Sequence, residues 1–471
     1  MIRKLIHVPL VAALWMMTGD YIVATGGTGG EAATHFVPPV WAVIPFIGIL
    51  MSIAVFPLIN AHWWEHNFGK ISFLWIVIAY VLMYFSVPAG IHFLDAFGHD
   101  IFHVYLEEYV SFIILLGSLF VISGGILIKG SLSGKPVSNL VILAIGSVIA
   151  SFIGTTGAAM LLIRPLIKSI HWRQHKMHII IFFIFLVCNI GGSLTPIGDP
   201  PLFLGFLKGI PFEWTFQLTP MWAFAVVVLL AVFFMMDNYL MKKEPDVPHT
   251  EKKGIQIQGA YNFLLLLGVI GSVLYSGIFD HGPIHLHYGK LMIQNLVRDG
   301  AMIALAVVSM LITPRPVRRE NNFNFFPIKE VAYLFIGIFT TMIPALMLLN
   351  ARGGELGIDT AAKFFWVTGV LSSFLDNAPT YITFLETALG MLKLDIQQLL
   401  LDPVGVSFLK GISVGAVFMG ANTYIGNGPN FMVKAIAEQE KIKMPSFFGY
   451  MMWSGIILLP LFVLVHLIFF H

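Results

Sequence analysis

Two stretches of this chain interrupt apolar segments that are long enough to cross a membrane: CNIGGSLTPIGDPP at residues 188–201 and FMGANTYIGNGPN at residues 418–430. Backbone at membrane depth can leave the helix only where protein or a water-lined cavity satisfies its N–H and C=O groups. The two interruptions are matched. A shift of 228 positions lays Thr195 on Thr423, Ile197 on Ile425, Gly198 on Gly426, Asp199 on Asn427 and Pro201 on Pro429. Paired breaks in two halves of a chain point to a transport site near the bilayer midplane.

Composition narrows the class. Apolar residues make up 57% of the chain and charged residues 11%, against about 25% charged in ordinary soluble domains. The expected fold is therefore an all-α polytopic membrane protein, in a bacterial-type inner membrane. The single cysteine, Cys188, excludes an internal disulfide and any cysteine-based metal site. No GxxxxGK[ST] phosphate loop occurs, so ATP-driven pumping lacks its usual signature.

Ten apolar segments, near 37–59, 70–88, 110–129, 178–208, 215–237, 258–278, 291–312, 328–350, 405–437 and 447–470, satisfy the need for about 20 residues across ~30 Å of hydrocarbon. The segments 178–208 and 405–437 carry the two breaks. Residues 138–168 and 361–393 are interrupted at the middle by SFIGTTG and SFLDNAPT, the pattern of a re-entrant hairpin. Lys129 and Lys135 precede the first hairpin, and Lys168, Arg173 and Lys176 follow it. By the positive-inside rule both its ends are cytoplasmic. Alternation carried onward places most of the 27 Lys and Arg residues inside and the second hairpin's ends outside. The expected architecture is thus 10–11 transmembrane helices plus two re-entrant hairpins in an inverted repeat. The first repeat runs over 25–241 and the second over 257–471, joined by a cytoplasmic linker at 242–256. Residues 1–24 read either as a signal peptide or as an extra helix.

The candidate site residues are oxygen-bearing. Thr155 and Thr156 stand at the first hairpin tip, with Asn189, Ser193, Thr195 and Asp199 in the first break. Ser373, Asp376, Asn377 and Thr380 stand at the second tip, with Asn422, Thr423 and Asn427 in the second break. Hydroxyls, amides, unwound carbonyls and one carboxylate per half suit a hard, weakly held cation such as sodium. Asp199 and Asp376 are the expected sodium ligands, because a carboxylate in the bilayer costs ~2.5–3.5 kcal/mol on insertion scales and is functional by default. A low dielectric favours the neutral acid and a bound cation favours the carboxylate, so proton and cation compete for one group. The alternative role for these residues is to cap half-helices and satisfy broken backbone.

GGSLTPIGDPP and SFLDNAPT, each followed by an apolar half-helix, resemble the corresponding segments of NhaD-type sodium/proton antiporters and CitM-like citrate carriers in the ion transporter superfamily. The resemblance spans about residues 37–470. It implies a homodimer in which scaffold and transport domains shift between inward- and outward-facing positions. The first tip departs from the pattern, reading GTTGA where the second carries an acidic DN pair, and neither tip has the Ser-Asn-Thr triplet of dicarboxylate carriers. The expected activity is sodium/proton antiport by alternating access, with a cation-coupled citrate/dicarboxylate or arsenite-type transporter as the alternative. The expected partners are inorganic cations and the lipid bilayer, with no nucleic acid and no cofactor beyond the transported sodium ion and proton.

Sixteen histidines call for a check on metal binding. His92, His99 and His103 accompany Asp95 and Asp100, and His281, His285 and His287 form a second group. No HExxH or CxxC spacing occurs, and solvated polar loops are the expectation for both groups. An intramembrane enzyme would place histidines at mid-depth rather than at segment ends.

Overall fold

The computed structural model describes residues 36–129, 133–244 and 256–470. The segment 1–24 and most of the expected linker lie outside the described residues. Among these, ten helices are long and apolar enough to cross a membrane, and the protein is a polytopic helical membrane protein. One of the ten is Pro136–Ile153, the first arm of the expected hairpin, while the expected span at 258–278 is a shorter apolar helix, Asn262–Ile278. Two short antiparallel strand pairs accompany the helices: β1 (Leu127–Lys129) with β2 (Gln256–Gln258), and β3 (Pro283–Leu286) with β4 (Gly289–Met292).

Two expected segments begin earlier than the apolar run suggested. The helix Ala61–Ser86 starts where Asn60 accepts from the Trp63 N–H. The segment expected at 110–129 opens with a helix at Phe93–Phe102, passes through a π-helix at His103–Tyr109 and continues as Val110–Ser123. His99 and His103 are therefore helical rather than in a loop. The acidic residues of this stretch do not end it, because Glu108 finds a lysine partner inside the protein.

Eight helices, numbered here in chain order, build the centre. α1 (Pro136–Ile153) and α2 (Thr155–Ser169) are separated by Gly154 alone. Gly154 has φ 78°, a left-handed conformation that a Cβ would strain. The arms run back along each other: a Cβ on Gly146 would stand 3.0 Å from Leu162, and one on Gly134 would stand 2.3 Å from the Ser169 carbonyl oxygen. The two feet of this pair are adjacent. Arg173 Nη1 contacts Asp237 Oδ1 at 2.6 Å and donates to the Gly134 oxygen, and Asn139 donates to Asp237 Oδ2 at 3.0 Å. The feet are thereby tied to the helix Thr219–Met241.

α3 (Met177–Leu186) ends in a 3-10 turn at Ile190–Leu194, and the chain restarts as α4 (Pro200–Leu207). The second half repeats both devices. α5 (Ala361–Phe374) turns through Leu375 and Asp376 into α6 (Asn377–Leu392), with the Phe364 and Phe384 rings 6.5 Å apart. α7 (Pro403–Met419) ends in a 3-10 turn at Gly420–Asn422 and restarts as α8 (Gly428–Gln439). Each restart has an Asx residue before a proline in the first turn, where the missing N–H costs nothing. α7 lies directly on α5, because a Cβ on Gly411 or Gly415 would stand 2.5 Å from the carbonyl oxygens of Ala361 and Phe365. α3 is buried along its length, with 94% of its span inside the protein against 22% for the span at His62–Ser86.

Candidate functional site

The N-terminal ends of α2, α4, α6 and α8 meet around one carboxylate. Asp199 precedes α4 and is 1% exposed. Its Oδ1 accepts from Thr155 Oγ1 at 3.0 Å and from Asn427 Nδ2 at 3.1 Å, and its Oδ2 accepts from Asn377 Nδ2 at 2.5 Å. One partner comes from each hairpin tip and one from the opposite break. The Thr155 N–H also donates to the Gly198 oxygen at 2.8 Å, locking the first tip onto the first break.

Asp199 and Asn427 stand at N-cap positions, yet neither side chain caps its own helix. Capping satisfies an orphan N–H and stabilises a helix by about 1 kcal/mol, and both residues forgo it to meet each other. Asp376 does the opposite. Its Oδ1 accepts from the Ala378 N–H at 3.0 Å, and its carbonyl oxygen accepts from Thr380 Oγ1 at 2.9 Å. Asp376 is half-buried beside this knot, close enough for its charge to act on Asp199, and its geometry is that of a helix cap.

The remaining candidates hold the breaks in shape. Thr195 Oγ1 donates to the Ser151 oxygen, and Thr423 Oγ1 donates to the Ser373 oxygen. Ser151 Oγ donates to the Gly191 oxygen at 2.5 Å, and Ser373 Oγ donates to the Met419 oxygen at 3.1 Å, the position matching Gly191. The same tie between hairpin tip and break thus occurs in both halves. Gly198 crosses Gly192 so closely that a Cβ would stand 2.0 Å from the Gly192 oxygen, and Gly426 crosses Gly420 likewise at 2.6 Å. Asn422 Nδ2 donates to Ser373 Oγ at 2.9 Å, and Ser193 Oγ closes its own turn on the Ile190 oxygen. Asn189 Nδ2 donates to Asn430 Oδ1 at 2.7 Å, joining the two breaks, while Asn427 Nδ2 also reaches the Cys188 oxygen at 2.9 Å. Thr156 makes no part of the knot; it lines a cavity of about 60 Å³ at the first tip together with Gly154, Thr155, Leu119 and Ile328.

The arrangement can bind charge of either sign. Helix N-termini favour anions, and here four of them surround Asp199. Two buried amide oxygens, Asn377 Oδ1 and Asn189 Oδ1, have no hydrogen-bond partner and are hard acceptors of the kind alkali cations take. Among the described residues no three His, Cys, Asp or Glu side chains gather as a metal centre.

The grouping that sequence reasoning missed is a buried charge cluster. Lys208 lies with its Nζ 3.0 Å from Glu108 and 2.8 Å from Glu386. The available signal was Lys208 at the end of the apolar run 178–208, since intramembrane charges seek partners.

A polytopic helical protein that gathers four helix starts around one interior carboxylate is built as a membrane transporter. Residues 35–470 match the model of the family described as "Putative citrate transport", and the chain belongs to that family. It is also similar to proteins named Uncharacterized transporter in Mycobacterium bovis and in Mycobacterium tuberculosis. Each is 22% identical over 324 residues, covering 65% of this chain and 70% of the relative. The family's description and the relatives' names alike point to transport.

Proposed function

We propose that the chain is a secondary active transporter that exchanges sodium for protons by alternating access, with Asp199 as the group that both ions use. The observation that carries this reading is the place of Asp199 among four helix N-termini, held by Thr155, Asn377 and Asn427. The protein already supplies the negative charge that those helix ends favour, so the species that completes the site is a cation or a proton. Asn377 Oδ1 and Asn189 Oδ1 are the neutral oxygens suited to join it. The recurring tip-to-break bonds support an inverted repeat, and the adjacent feet of α1 and α2 support a hairpin that enters and leaves on one side.

A second reading is cation-coupled transport of citrate or another carboxylate. The family's description favours it, and so do the helix N-termini, which can hold a substrate carboxylate once cations neutralise Asp199. Proteoliposomes with a pH dye inside separate the two. Pulses of NaCl or LiCl, with KCl as control, alkalinise the lumen without any organic anion if the protein is an antiporter. Silence until sodium citrate is supplied overturns antiport and assigns Asp199 to the coupling ion.

A further inference from the structure

The half-helices that deliver the Asp199 knot also end in charge. Asp199 stands just before α4 and Lys208 just after it, and α6 starts at Asn377 and carries Glu386 in its third turn. Lys208 Nζ bridges Glu386 Oε1 at 2.8 Å and Glu108 Oε1 at 3.0 Å. Glu386 Oε2 accepts from Asn350 Nδ2 at 3.1 Å, a neutral amide on the helix Phe326–Arg352. His103 Nδ1 lies 3.2 Å from Glu108 Oε1, and its Nε2 lies 3.5 Å from Glu107. His103 is 31% exposed in its side chain, whereas Glu108 is 1% exposed. The cluster therefore runs from water to a dry interior.

Its charge does not close. Glu108 and Glu386 bring two negative charges and Lys208 one positive, leaving one buried negative charge uncompensated. Asp100 and Glu107, the other carboxylates whose charge reaches His103, add negative charge at its wet edge, and His99 stands beside Asp100. An unpaired buried charge costs several kcal/mol. Glu108 Oε2 is moreover buried with no partner. Glu108 is also carried by the π-helix His103–Tyr109, an irregularity frequent at functional sites.

We infer that Glu108, Lys208 and Glu386, with His103 at their water-facing edge, form a second proton-binding site distinct from Asp199. One proton from the water at His103 adds to the imidazole or to the Glu108 carboxylate, forming an N–H or O–H bond with no leaving group. It is held by the pair jointly, as coupled groups hold protons, and returns to water on release. Because Asp199 and Lys208 flank the eight-residue helix α4, a change of charge at one end is felt at the other along ~12 Å of rigid helix.

The test is proton uptake by the purified full chain in detergent, in choline chloride with neither sodium nor citrate, titrated from about pH 9 to about pH 5, the range in which histidine-linked sites titrate. E108Q and E386Q each remove the excess negative charge. Each is expected to lose this uptake or to lower its midpoint by at least about one pH unit, a tenfold weaker hold. K208Q is expected to raise the midpoint. D199N is expected to retain the uptake, so the result stands whether or not sodium/proton exchange is found. If E108Q and E386Q titrate as wild type does, the cluster is a permanently ionised bridge and the inference is overturned. Should E108Q aggregate, E386Q, at the less buried of the two carboxylates, decides alone.

Discussion

Asp199 and Asp376 both stand immediately before a helix, and their environments separate them. Asp376 spends its carboxylate on its own helix, whereas Asp199 receives three donors from three other elements. D199N is accordingly expected to fold and to abolish ion-driven proton flux in proteoliposomes, since an amide cannot hold a cation and a proton in turn. D376N preserves a capping oxygen and is expected to lose less. Equal and full activity in both would remove Asp199 from the mechanism. T155V deletes one hydroxyl from the knot, a hydrogen bond to a charged group worth about 1.5–3 kcal/mol. Its expected effect is a cation half-saturation concentration raised about tenfold or more, measured by the same dye assay.

The elements are held by close approach and by ties at their ends. A valine at Gly415 would place a Cβ 2.5 Å from the Phe365 oxygen, pushing α7 off α5. Overpacking of this kind costs about 1–3 kcal/mol, and G415V is expected to melt earlier in detergent than wild type. At the feet of the first hairpin, the backbone N–H groups of Gln174 and His175 donate to the Glu244 carboxylate at 2.8 and 2.9 Å. Burial opposes ionisation of Glu244, but these two N–H groups, with Arg173 and His175, hold it below the usual glutamate range. A carboxylate with a depressed folded-state pKa stabilises the protein above its unfolded value, about 4.3, and that contribution is lost as the pH falls through the folded value. E244Q is therefore expected to melt earlier than wild type at neutral pH. The gap should close on acidification, and a gap that widened would contradict the assignment.

For the whole molecule, the arrangement of the two halves is tested by labelling. In a Cys188-free background, K135C and H171C are expected to react with an impermeant maleimide from one side of the membrane, and K363C and K393C from the other. Labelling of K135C and H171C from opposite sides would make the first hairpin a pair of spanning helices. Much of this fold was legible in the chain, because apolar length sets where helices run, and Asp199 before Pro200 and Asn427 two residues before Pro429 set where they restart. The helical start at Phe93 was not legible, since nothing local shows that Glu108 will meet Lys208, a hundred residues away. The sequence by itself determined most of the helices, the two breaks, the two hairpin tips and the oxygen-rich set within them, because backbone hydrogen bonding in an apolar medium is a local requirement. Only the tertiary structure decided that Asp199 and not Asp376 lies at the centre, and that Lys208 closes a second charged cluster. The reason is physical: a buried charge is placed by whichever donors and counter-charges the packed helices bring within a few ångströms of it, and those come from distant parts of the chain.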